Sequence, residues 1–400
     1  MNSSPYLSTL TPLRGIAALL VVVFHSTRYV APLVDPNVTS LIESGWLWVD
    51  FFFILSGFIL SHVYGTQFET RLEWRSYRTY VLARFARVYP LHFFTLWVCV
   101  GLVLGIKALA DGIMPNFQPA FNLSGIPASL LLIQSMYVFP EPPLNGPAWS
   151  LSTEWWVYLL FPLLVRPLLN LRIVGKLILL LAIAAMYLAL VYYIAPHWAN
   201  RFWIKLGLMT ATPTLNMTGD FGFLRCVAGF TLGMLLYRLY QERVFCKILK
   251  SDWSFIAFLG GVLTLMHFGA GDLLIVALFP PVILAAAHNA SSAKRILETR
   301  PLQYLGNLSF SIYMVHIPIV YAGYCLILLN NPKKLASIDG FGYYKMSYAD
   351  GWLQCATLVV ATLLVSALTY RFVEVPARRY LNARNQARRT AQAMSDAVLS

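Results

Sequence analysis

Apolar positions in this chain come in long unbroken runs, not in the short alternating or one-faced patterns of a soluble fold. Ten such runs lie at roughly 13–31, 46–64, 89–108, 149–167, 177–195, 221–239, 253–269, 272–290, 305–329 and 352–374. Each is close to the ~20 residues a helix needs to cross a ~30 Å hydrocarbon core. In that medium the backbone must satisfy its own hydrogen bonds, so runs of this length predict helices. The fold class expected is therefore all-α, a polytopic membrane helical bundle of about ten transmembrane helices. The longest connection, about 109–148, is rich in proline, glycine and asparagine. Its central ASLLLIQSMYVF is too short to span and reads as a buried or interfacial segment.

Composition agrees: of 400 residues, 58% are hydrophobic and only 12% charged. The net charge of +13 would suit a nucleic-acid partner, but its placement argues against one. Arg71, Arg75, Arg78, Arg84, Arg87, Arg172, Lys176, Arg243, Lys247, Lys294 and Arg295 all fall in connections on one side of the alternating spans. The positive-inside rule then places both termini in the cytoplasm. The chain divides into a transmembrane domain, 1–376, and a basic cytoplasmic tail, 377–400. No basic segment precedes the first run, which reads as an uncleaved helix. The five cysteines form no CxxC motif and no Cys/His cluster, so the sequence supports neither a disulfide framework nor a metal site.

Polar residues inside the runs carry the candidate chemistry, because ionisable groups at membrane depth are costly and face a bundle interior or a wet cavity. In LRGIAALLVVVFH, Arg14 and His25 are eleven residues apart, about three turns, so both point to one side of the helix. In RFARVYP, Arg84 and Arg87 are i, i+3 and share a face. Two guanidiniums at the cytoplasmic boundary suit a polyphosphate, or serve as ordinary positive-inside charge. Ser56-Gly57 interrupts WLWVDFFFILSGFIL. The pair allows either close helix packing or the passage of a ligand chain along the backbone. In WSLSTEWW, Ser150 and Glu154 are i, i+4, and the aromatics suit an interfacial belt or a sugar surface that includes Trp149. His316 lies in LGNLSFSIYMVHIPI, with Pro318 predicting a kink. Near the end, Arg371 and Glu374 are i, i+3 and are expected to pair.

These pieces together resemble the acyltransferase 3 family of bacterial membrane-bound O-acyltransferases. LRGIAALLVVVFH, VDFFFILSGFIL, RFARVYP, WSLSTEWWVYLLFPLL, LGNLSFSIYMVHIP and FVEVP run in the family's order from Leu13 to Pro376. The resemblance implies transfer of an acyl group, usually acetyl, from cytoplasmic acetyl-CoA to a hydroxyl of a cell-envelope or exported glycan or glycolipid. It implies a multi-pass protein of the bacterial inner membrane. Arg14 and His25 map onto the family's essential pair, and Arg84 and Arg87 onto the pair that handles the donor. Glu154 and His316 match recurrent positions. The chain ends soon after the last run, which leads us to expect a stand-alone acyltransferase without a fused periplasmic domain.

The expected site is therefore catalytic His25, Arg14 and Glu154, with donor-binding Arg84, Arg87, Ser56 and Gly57. Ser150, Trp149 and His316 would bind the acceptor. Acyl-CoA is a donor substrate here, not a resident cofactor. His25 either takes the acceptor's proton or carries the acyl group itself. A proton-coupled transporter of a small solute is the rival reading, since intramembrane Arg, His and Glu serve permeases as well. No repeat of two matching halves favours it.

Overall fold

A computed structural model of the chain describes residues 6–27, 33–35, 37–109, 121–139, 142–199, 213–330 and 347–385. Each of the ten apolar runs holds a helix: α1 (Leu10–Thr27), α2 (Trp48–Phe68), α3 (Trp74–Leu109), α4 (Ala148–Leu169), α5 (Ile173–Ala189), α6 (Gly222–Gln241), α7 (Asp252–His267), α8 (Asp272–His288), α9 (Arg300–Asn330) and α10 (Tyr348–Thr369). There is no strand among the described residues. Seven helical stretches are long and apolar enough to cross a membrane. α7 and α8, with 16 and 17 residues, are shorter apolar helices. α4 has 22 residues and carries Glu154 and Arg166 within its apolar sequence. The protein is thus an all-α polytopic bundle. Parts of the long connections, at 110–120, 140–141, 200–212 and 331–346, and the tail from 386 onward lie outside the described residues.

Small residues set how closely the helices approach. α2 packs most extensively on α6. A Cβ on Gly57 would stand 2.0 Å from the Phe230 carbonyl oxygen, and one on Gly233 would stand 1.9 Å from that of Ile54. α1 and α9 are fitted in the same way: a Cβ on Gly15 would lie 2.6 Å from the Leu305 carbonyl carbon, and one on Gly306 would lie 2.2 Å from the Thr11 oxygen. Backbone contact of this kind is how membrane helices pack in the absence of a hydrophobic force between them. Gly233→Ala should therefore push α2 and α6 apart and cost at least the ~1–3 kcal/mol of an overpacked core. Gly65→Ala, on the same α2 with nothing within 4 Å of its would-be Cβ, should be neutral. Thermal midpoints of the two variants in detergent check this. Equal midpoints would contradict it.

One expectation changes. The sequence starts the third span at 89, but α3 is one helix of 36 residues that begins at Trp74 and runs through Pro90. A proline removes only one N–H, and a buried helix tolerates that. The arginines therefore belong to the same helix as the span that follows them. Further along α3, His92 is buried, and its Nε2 donates to the Ser129 carbonyl at 2.8 Å. Ser129 belongs to the 126–139 segment, which forms only a short helix, Ile126–Leu130, and does not span. α4 holds the rest of that segment: Ser152 Oγ and Trp156 Nε1 both donate to the Leu132 carbonyl, at 2.7 and 2.9 Å.

Candidate active site

α1, α2, α3, α4 and α9 enclose an open cavity of about 870 Å³, its mouth included, within the size range of small-molecule sites. Arg14, Ser56, Arg84, Arg87, Ser150 and Glu154, each singled out in the sequence, line it together. Tyr158 and Tyr313 complete its polar wall. The Arg84–Arg87 spacing of one turn brings both guanidiniums to the same cavity, as the i, i+3 rule requires. Ser150, Glu154 and Tyr158 follow one another at i+4 along α4, so one face of that helix supplies all three. Tyr158 carried this signal in the sequence and was passed over there. Its hydroxyl lies 3.1 Å from Ser56 Oγ, and both groups hydrogen-bond with the Glu154 carboxylate.

The cavity is cationic at one end. Arg84 donates to the Tyr64 hydroxyl at 2.8 Å and lies over that ring, 4.9 Å from its centroid. Its buried Nε has no partner among the described residues. Neither Arg14 nor Arg84 has an ion-pair partner among them. Arg87 does: it is paired with Glu374, whose other oxygen accepts from Ser311 Oγ at 2.9 Å. The expected Arg371–Glu374 pair is therefore overturned. Residues Tyr370–Glu374 form a π-helical turn, which widens the spacing so that Glu374 turns inward, 1% exposed, while Arg371 lies outside against the Phe372 ring. No i, i+3 count on a regular helix could foresee that.

Gly57 and Trp149, expected to touch donor and acceptor, do not line this cavity. Gly57 faces the α6 backbone and does not line the cavity. Trp149, 7% exposed, stacks edge-on with Phe53 and lies 5.3 Å from the Arg225 guanidinium. Arg225 in turn makes a buried fork with Asp50, at 2.9 and 2.6 Å, and donates to the Met217 carbonyl at 3.2 Å. The sequence showed both charges inside spans but gave no reason to join α2 to α6 through them.

His25 and His316 do not line the cavity; they meet each other, with ring centroids 4.9 Å apart. Tyr313 connects the two places. It lines the cavity, its hydroxyl lies 2.7 Å from Ser150 Oγ, and its ring lies 5.9 Å from that of His316. The histidine pair thus sits one helical turn past the last cavity residue of α9. Around it, α9 continues through Pro318. Proline cannot donate to the Met314 carbonyl, and the Asn145 amide does so instead, at 2.9 Å. Among the described residues no three His, Cys, Asp or Glu side chains gather as a metal set.

A helical membrane bundle with intramembrane cations and a carboxylate around one cavity, and a histidine pair one turn beyond it, defines a polar intramembrane site. The profile of the acyltransferase domain family Acyl_transf_3 matches residues 10–371, and the chain belongs to that family. It is 26% identical to acyltransferase MdmB of Streptomyces mycarofaciens, over 94% of this chain and 93% of the relative. It is 23% identical to the peptidoglycan O-acetyltransferase OatA of Listeria monocytogenes, over 94% of this chain. It is 24% identical to the O-acetyltransferase OatA of Staphylococcus aureus, over 95% of this chain. The chain spans only 56% and 58% of those two OatA proteins. No solved structure matches.

Proposed function

We propose that the protein is a multi-pass O-acyltransferase of the bacterial inner membrane. It takes an acyl group, acetyl first of all, from cytoplasmic acyl-CoA and gives it to a hydroxyl of a cell-envelope or exported glycan or glycolipid. The observation that carries this reading is the shared cavity: three guanidiniums at one end, a carboxylate with hydroxyls along the wall, and two imidazoles one turn beyond. The acetyltransferase names of the OatA relatives support the group transferred and the polysaccharide acceptor. The basic connections beside the arginine end support its cytoplasmic placement, with both termini on that side.

Arg84 and Arg14 supply cations for the donor's phosphates, and Arg87 is held ready by Glu374. A guanidinium fork matches phosphate oxygens two at a time. His25 acts as base. Its Nδ1 lies 2.9 Å from the Val21 carbonyl, which can only accept, so in the neutral ring Nδ1 carries the proton and Nε2 the lone pair. Nε2 takes the acceptor's hydroxyl proton as that oxygen attacks the thioester carbonyl. The C–S bond breaks, and the leaving thiolate recovers the proton from the imidazolium. Glu154 orients the acceptor through its hydroxyl neighbours.

Arg84→Ala and Arg87→Ala should each weaken acetyl-CoA binding by about tenfold or more, the ~1.5–3 kcal/mol of a hydrogen bond to a charged group. Lysine at either position should recover only part of it. Calorimetry on detergent-purified protein tests this reading. Unchanged affinity in both alanine variants would make the arginines topological anchors, and solute uptake into vesicles without acetyl-CoA consumption would favour a transporter.

A further inference from the structure

We infer that Phe52 is the end wall of the acyl-binding part of the cavity and limits the donor to short acyl groups. The inference rests on the reading of the cavity as the acyl-CoA site. The cavity is polarised along its length. At one end Arg84 bonds Tyr64 of α2, and Arg87 lies over the Phe310 ring of α9, 5.5 Å from its centroid. At mid-length Ser56 of α2 meets Tyr158 of α4 at 3.1 Å. At the other end Tyr313, one turn beyond Phe310, meets Ser150 at 2.7 Å, and the Phe52 ring stands edge-on to it at 6.0 Å. The lining residues beside these, Val49, Phe53 and Leu151, are apolar. An acyl-CoA has the same order of parts: phosphates, an amide arm and an apolar acyl group. Guanidiniums suit the first, hydroxyls and a carboxylate the second, and apolar side chains the third.

Phe52 is the residue that closes the apolar end. From Phe51 to Leu60 only Phe52, Ser56 and Ile59 are half-buried; the others are buried. Their spacing, i, i+4 and i+7, is one helix face, and all three line the cavity. Phe52 is the farthest of them from Arg84. Its ring is held from behind by Ala18 and Val22 of α1 and by Leu308 and Ile312 of α9. Tyr313 beside it is pinned through its hydroxyl to Ser150 and to the Pro147 carbonyl, at 2.7 and 3.1 Å. A wall packed on both sides resists added volume. The length fits as well. Tyr64 lies twelve residues after Phe52, a rise of about 18 Å. The arm of CoA from phosphate to sulfur matches about four residues of extended chain, roughly 14 Å. What remains holds an acetyl group and little more. The histidine pair lies behind Tyr313, whose ring is 5.9 Å from that of His316, so the acyl group stops at the wall nearest the imidazoles.

The test is a chain-length profile. The purified chain in detergent is given acetyl-, butyryl- and hexanoyl-CoA, with bacterial cell-envelope glycan as acceptor. Thiol release gives kcat/KM for the wild type, Phe52→Leu and Phe52→Ala, and thermal midpoint and affinity for free CoA are measured beside it. The wild type should prefer acetyl to hexanoyl by at least about 10²-fold, since each methylene that does not fit costs about tenfold or more. Phe52→Ala removes the ring and should narrow that preference by at least about tenfold. Phe52→Leu keeps an apolar group against Val22 and Ile312, and should narrow it in the same direction by less. Free CoA has no acyl group and should bind all three proteins alike. A wild type that uses hexanoyl-CoA as well as acetyl-CoA, or a folded Phe52→Leu protein with the wild-type preference, would overturn the inference. Folded wild type that consumes none of the thioesters would overturn instead the reading beneath it.

Discussion

Arg225→Ala should lose most of its folded protein, and the cause should be Asp50. The two side chains are 1% and 0% exposed and joined by two hydrogen bonds, with Trp46 and Trp149 rings at 5.0 and 5.3 Å from the guanidinium. Removing one partner leaves the other charge buried without compensation, at a cost of about 3–5 kcal/mol. A marginally stable protein does not absorb such a loss. Arg225→Lys should fall between, because an ammonium cannot make the fork. The pair Asp50→Leu with Arg225→Met, which removes both charges, should recover much of what Arg225→Ala loses. Thermal midpoints and the monodisperse fraction in detergent read these outcomes. An Arg225→Ala protein that melts with the wild type would show that α2 and α6 are held by their glycines alone.

His25→Gln should be nearly as inactive as His25→Ala, with transfer reduced by about 10²–10⁴-fold and acetyl-CoA affinity kept. Glutamine retains the volume and hydrogen-bonding capacity but takes up no proton near neutral pH. A packing histidine gives the opposite pattern, with glutamine tolerated and any loss of activity following loss of folded protein. Kinetics set beside a folding assay separate the two.

The helices were legible because a long apolar run satisfies its own backbone as a helix and needs no partner to be recognised. Arg84, Arg87, Ser150 and Glu154 were legible for a related reason: spacing on one helix fixes a shared face, and both pairs do face the cavity. What was not legible depended on another helix. Gly57 and Trp149 pack against α6, a neighbour that local spacing does not name. Glu374 was matched to the nearest arginine in sequence, whereas its partner Arg87 lies 287 residues away. His25 and His316 were each visible, but their meeting depends on how Gly15 and Gly306 set α1 against α9. Local pattern thus identified the candidate groups, and close backbone approach decided which of them meet.

The most direct test of the account is to follow a labelled acetyl group. Purified protein in detergent is given acetyl-CoA labelled in the acetyl carbon, with bacterial cell-envelope glycan as acceptor, and both CoA thiol release and label in the glycan are measured. The account predicts that wild type releases thiol in step with glycan labelling. It predicts that His25→Gln binds acetyl-CoA but does neither, and that the label in the product is removed by mild base, as an O-ester is. Labelling by His25→Gln at the wild-type rate, or acetyl-CoA left intact by folded wild-type protein, would contradict it.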